Sequence, residues 1–121
     1  MDWTFRSDQP IYLQLQRHLS EAIVNGFYSP GQRMPSVRDI ALDAGVNPNT
    51  VQRALAELER DGLVFSQRTS GRFVTDDPEQ IRSVREAMAK EKVDEFLKAM
   101  RKIGMSRSDA IAFLEKEEET A

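Results

Sequence analysis

The chain has 121 residues, a formal net charge of −3 and no cysteine. That length suffices for one compact core and one appended element, and it excludes a large catalytic domain. Without cysteine there is neither a disulfide framework nor a thiolate zinc site, and the lone histidine, His18, cannot build a metal cluster unaided.

After the polar start MDWTFRSDQP, Ile11, Leu15, Leu19, Ala22 and Ile23 recur at three- and four-residue spacings, which predicts an amphipathic helix entered at Pro10 and stopped at Gly26. FYSPGQRMP is dense in turn formers and reads as a connection. Ser36, with Asp39 three residues on, opens a short helix carrying Val37, Ile40 and Ala41 and ending at Gly45. Asn47-Pro48 then supplies a cap and a first-turn proline, and Val51, Ala54, Leu55 and Leu58 define one apolar face up to Asp61-Gly62. Leu63-Val64-Phe65 and Arg72-Phe73-Val74-Thr75 flank the polar QRTSG, the pattern of a hairpin.

Composition changes at Asp76-Asp77-Pro78, which sets the expected domains at residues 1–76 and 77–121. In the second segment Ile81, Val84, Met88, Phe96, Met100 and Ile103 keep mostly helical spacing before Gly104. Ser106 with Asp109 restarts a helix bearing Ala110, Ile111, Phe113 and Leu114, and EKEEETA is expected to fray. The expected fold class is mostly α with a small β-hairpin: a winged helix-turn-helix domain followed by a two-helix dimerisation tail.

An acidic chain looks ill suited to nucleic acid, but the charge is unevenly placed. Residues 1–75 carry eight Arg, no Lys and eight acids, whereas residues 76–121 carry nine basic residues and twelve acids. The third helix has no acid from Asn47 to Ala56. Its apolar set leaves Asn49, Gln52 and Arg53 opposite the core near the helix start, where Asn and Gln can pair with adenine and Arg with guanine; a merely solvated helix face is the bland alternative. Asn47 and Thr50 suit the helix start and a nearby phosphate better than a base edge. Arg68, Thr69, Ser70, Gly71 and Arg72 combine cations with a flexible wing tip, to which solvation of the arginines is the bland alternative. Trp3, Tyr12, His18, Phe27 and Tyr28 invite a ligand pocket, and core packing is the simpler assignment.

PGQRMPSVRDIALDAGVNPNTVQRALAELERDGLVFSQRTSGRFV resembles the DNA-binding domain of the GntR family of bacterial regulators. The landmarks are Pro30-Gly31, Met34-Pro35-Ser36 with Arg38, Asn47 to Leu55, Leu58, Gly62-Leu63 and Gly71 to Val74, ungapped over about 65 residues from Pro10. The resemblance implies DNA contact by Ser36, Arg38, the third helix and the wing tip, the last in or beside a minor groove. For Arg38 a surface ion pair with Asp39 or Asp43 is the alternative. Pro48 departs from the Arg that many members carry there, so their specificity does not transfer. The tail is too short for the usual effector domain and is similar in this to the small YtrA-like regulators.

The apolar tail residues Val84, Met88, Phe96, Leu97, Met100, Ile103, Ile111, Phe113 and Leu114 form the expected dimer interface, because a two-helix hairpin must bury such a stripe somewhere. The expected function is a homodimeric regulator that binds an inverted-repeat operator and represses by occluding a promoter. A winged module that binds an acidic protein partner is the competing function. No catalytic residues, metal or cofactor are expected, and no small-molecule effector is identifiable. No apolar run approaches the roughly 18 residues of a membrane span and no signal-peptide pattern opens the chain, so a cytoplasmic protein without membrane association is expected.

Overall fold

The computed structural model describes residues 1–117 and contains α1 (Ile11–Val24), α2 (Val37–Ala44), α3 (Pro48–Arg60), β1 (Val64–Gln67), β2 (Gly71–Val74), α4 (Pro78–Lys102) and α5 (Arg107–Lys116). The architecture is mostly helical with one antiparallel hairpin, as expected. Part of the acidic end EKEEETA falls on residues 118–121, outside the described residues. The chain divides into two compact units, Met1–Arg85 and Glu86–Ala121.

In the first unit, α1 and α3 form the largest helix contact. Leu15, Leu19 and Ile23 of α1 and Val51, Ala54, Leu55 and Leu58 of α3 are buried, and Ile40 and Ala41 of α2 complete the helical core. These are the residues that recur at helical spacing, so local pattern and tertiary packing agree. The hairpin pairs Val64 with Val74 and Phe65 with Phe73. Its two valines face the core, and its two phenylalanine rings stack with centroids 5.9 Å apart.

The turn between α2 and α3 is fixed at both ends. Ser36 Oγ accepts from the Asp39 amide at 3.0 Å to start α2. Gly45 ends that helix in the left-handed region at φ +68°, and Asn47 Oδ1 accepts from the Asn49 amide at 2.8 Å to start α3.

Two segments hold more structure than their sequence suggests. The residues before α1 are tied down by buried Gln14, whose Nε2 donates to the carbonyls of Arg6 (2.7 Å) and Gln9 (2.9 Å) while its Oε1 accepts from the Arg6 amide (2.6 Å). Trp3 Nε1 donates to Asp43 Oδ2 at 2.7 Å, and the rings of Trp3, Phe5 and His18 pack together. The connection FYSPGQRMP runs along the outer edge of β2: Val74 donates to the Gln32 carbonyl and Met34 to that of Arg72, each at 2.8 Å. Those ladder bonds use backbone groups, which side-chain periodicity does not report.

Core packing fits Tyr28, which is buried, but not Phe27, which is 60% exposed. The chain reverses at Asn25, whose Oδ1 accepts from the Phe27 amide, and only the second aromatic of the pair turns inward. The unit also takes in the start of α4, where Ile81 is buried and Arg85 Nη1 donates to the Val24 carbonyl at 2.9 Å.

In the second unit, α5 opens with a reciprocal capping box: Asp109 N donates to Ser106 Oγ at 3.1 Å and Ser106 N to Asp109 Oδ2 at 2.9 Å. The Ser106 amide and hydroxyl hold the Asp109 carboxyl below the usual carboxylate range. Ala110 is buried.

At Gly45 a Cβ would meet nothing within 4 Å, so the cost of a side chain there is conformational alone. Gly45→Ala is expected to destabilise the fold by about 1–2 kcal/mol in urea unfolding; an unchanged midpoint contradicts the left-handed cap.

Candidate nucleic-acid interface

With the apolar stripe of α3 seated on α1, the opposite face of α3 is left to solvent, and Asn49, Gln52 and Arg53 are exposed on it. Asn47 is exposed with its side-chain oxygen engaged in the cap, and Thr50 is half-buried. The Arg53 guanidinium lies 3.6 Å from the centroid of the Tyr12 ring, a cation–π contact that fixes a long side chain without neutralising it. Sequence reasoning assigned Tyr12 to the core. The link to Arg53 joins two helices that pack together but lie far apart in sequence, and nothing in local spacing announces it.

At the start of α2, Ser36 and Arg38 are exposed. Among the described residues Arg38 pairs with neither Asp39 nor Asp43, and Asp43 instead accepts from Trp3. The wing tip Arg68-Thr69-Ser70-Gly71 is exposed, its turn closed by Ser70 N donating to the Gln67 carbonyl at 3.2 Å. Gly71 sits at φ +99°, and a Cβ there would stand 3.3 Å from Arg33 Nε.

Arg72 differs from the rest of the wing. Its Nε donates to Glu59 Oε1 at 2.7 Å and its Nη2 to Gln52 Oε1 at 3.2 Å. Glu59 Oε1 also accepts from Ser66 Oγ at 2.6 Å, so one carboxylate joins α3 to both strands of the hairpin. The Ser66 and Arg72 hydrogen bonds hold the Glu59 carboxyl below the usual carboxylate range, against a smaller opposing effect of burial.

Arg33 was given no role from the sequence because its segment reads as a connection. It borders an open depression of about 540 Å³ together with Ser36, Asp39, Gly71 and Arg72, which brings the start of α2 and the base of the wing around one space. The Gln52–Arg72 bond links that wing to α3. Among the described residues Arg33, Arg38, Arg53 and Arg68 make no ion pair, whereas Arg6, Arg60 and Arg72 do. A surface whose cations lack internal acids can give those charges to phosphate without breaking an existing pair.

Of the tail residues, Val84, Met88, Leu97 and Met100 are half-buried. Phe96, Ile103, Ile111, Phe113 and Leu114 are exposed, by 41, 73, 39, 52 and 60%. Among the described residues no group of three or more His, Asp or Glu is placed to hold a metal, and no helix is long and apolar enough to cross a membrane.

Residues 11–74 match the family described as bacterial regulatory proteins, gntR family. The chain is 34% identical over 111 residues to the HTH-type transcriptional regulator YhcF of Bacillus subtilis, covering 92% of each chain. It is 39% identical over 71 residues to the transcriptional repressor YtrA of the same organism, covering 59% of this chain and 55% of YtrA. A GntR family transcriptional regulator from Listeria monocytogenes superposes with a TM-score of 0.86 at 35% identity, over 94% of this chain and all of that one. The AraR DNA-binding domain, solved in complex with operator ORX1, gives a TM-score of 0.58 at 26% identity, over 62% of this chain and 96% of that one. The curated relatives are named as transcriptional regulators, a non-enzymatic role.

Because the folded-state pKa of Glu59 is depressed, the stability contributed by its tie is complete above the ordinary glutamate range. It disappears as pH falls through the folded value. Urea unfolding should therefore separate the parent from Glu59→Gln at about pH 7, and the gap should narrow as the pH is lowered below the ordinary glutamate range. A gap that persists in acid contradicts a charged Glu59 as the source of the tie.

Proposed function

This chain belongs to the gntR family of bacterial regulatory proteins, and on that premise we propose that it is a cytoplasmic, sequence-specific DNA-binding repressor acting as a homodimer on an inverted-repeat operator. Residues 1–76 read the DNA and residues 77–121 pair the chains. The N-terminal half of α3 enters the major groove with Asn49, Gln52 and Arg53 toward base edges. Arg38 and Arg33 contact the duplex beside it, Ser36, Asn47 and Thr50 serve helix starts and nearby phosphates, and Arg68 to Gly71 reach a minor groove.

The observation that carries this reading is the set of arginines on α2, α3, the wing tip and the segment beside it that make no ion pair among the described residues, in a chain whose overall charge is negative. The acids of α3 begin only at Glu57, toward the end that points out of the groove. The operator complexes solved for AraR support the same partner class.

A different observation supports dimerisation. Exposed Phe96, Ile103, Phe113 and Leu114 lie within one short helical unit, and a second copy offers the same surface for burial. Two readers so joined span two half-sites and gain affinity through effective concentration.

Selection from random duplexes should enrich one palindromic sequence; equal recovery of all sequences sinks the regulator and leaves the protein-interaction module. Arg38→Ala and Arg53→Ala should each weaken the selected duplex by about 1–3 kcal/mol with an unaltered circular dichroism spectrum, and unchanged affinity removes those two contacts. Phe96→Glu combined with Met100→Glu should give monomers in light scattering, and a mutant that stays dimeric moves the interface elsewhere.

A further inference from the structure

Arg72 lies in the wing, but its guanidinium is committed elsewhere: Nε to Glu59 at 2.7 Å and Nη2 to Gln52 at 3.2 Å. Its side chain is 25% exposed. Glu59 is itself held by Ser66 Oγ at 2.6 Å, so the far end of this chain of bonds is anchored in the hairpin. A guanidinium only donates, so the Gln52 atom facing it has to be the amide oxygen. The orientation of the Gln52 amide is thereby decided by chemistry. Among the described residues the Gln52 nitrogen has no protein partner, and the residue is exposed on the outer face of α3.

That orientation bears on which base Gln52 can read. Adenine is recognised by a glutamine that uses both amide atoms, oxygen accepting from N6 and nitrogen donating to N7. Guanine offers only acceptors at the same edge, N7 and O6, which suit the two hydrogens of an amide nitrogen. We propose that Arg72 is a positioning residue for base readout: it draws Gln52 Oε1 toward the wing and leaves the amide nitrogen outward, so that Gln52 selects guanine over adenine. The inference rests on α3 being the recognition helix. It adds that the wing sets specificity in the major groove through a side chain that does not itself touch DNA.

The test is random-duplex selection with the full chain and with Gln52→Ala, Arg72→Ala and Glu59→Gln, each checked by circular dichroism. The one base pair at which Gln52→Ala relaxes preference is the pair that Gln52 reads. The parent chain should hold guanine there. Arg72→Ala should shift the guanine-to-adenine ratio at that pair toward adenine by about tenfold and leave the other positions unchanged. Glu59→Gln keeps the arginine but loosens its anchor, and should shift the same pair in the same direction; it decides the matter if Arg72→Ala does not fold.

The dependence of affinity on salt supplies an independent readout. A positioning Arg72 leaves its slope unchanged on substitution, whereas a phosphate-binding Arg72 lowers it by about one. Adenine at the Gln52 pair in the parent chain, or a uniform loss of affinity with a reduced slope in Arg72→Ala, overturns the proposal and leaves the operator reading intact. A parent chain that enriches no sequence overturns the operator reading itself.

Discussion

The packing of α3 on α1 is the constraint from which the rest of the reader follows. Leu15, Leu19 and Ile23 on one helix and Val51, Ala54, Leu55 and Leu58 on the other are removed from water, and truncation of any large member of such a set costs roughly 2–5 kcal/mol. Once that seat is taken, the rotation of α3 about its axis is fixed, and Asn49, Gln52 and Arg53 have nowhere to face but outward. The same contact brings Tyr12 beneath Arg53, so the core that holds the helix also steadies one of the side chains proposed to read DNA. The hairpin is joined to α3 separately, through Glu59, Ser66 and Arg72. The outward face of α3 is thus held from two sides by interactions of different kinds, one apolar and one ionic.

The distribution of charge now has a physical account. Within the reader, Glu57 and Glu59 lie past the outward-facing polar residues of α3, and each is ion-paired with an arginine: Glu57 with Arg60 and Glu59 with Arg72. Among the described residues, the arginines nearer the helix starts and the wing tip are left without acids. Net charge therefore says little about partner choice in this chain, because pairing decides which cations are available to phosphate.

Much of the fold was legible from sequence because its signals are local. Ser36 with Asp39, Asn47 with Pro48, and Ser106 with Asp109 each cap a helix with the hydrogen bond that their spacing implies, and Gly45 takes the left-handed backbone that its position demands. Illegible features were those made by groups far apart in the chain or by backbone alone. Gln14 binds the segment before α1 through main-chain carbonyls, the loop before α2 pairs with β2 through its amides, and Phe27 and Tyr28 share a composition but only one turns inward. At the candidate interface the residue types were visible, but not that Arg72 is bound to Gln52 or that Arg33 borders the wing.

The most direct measurement of the central claim is chemical footprinting of the full chain on its selected operator, combining hydroxyl-radical protection with methylation interference at guanine N7. The account predicts two symmetric protected patches about one helical turn, or roughly 10 base pairs, apart, with interference confined to major-groove guanines inside each half-site. A single unbroken protected stretch with no interference at guanine N7 would contradict a dimer that reads DNA through α3.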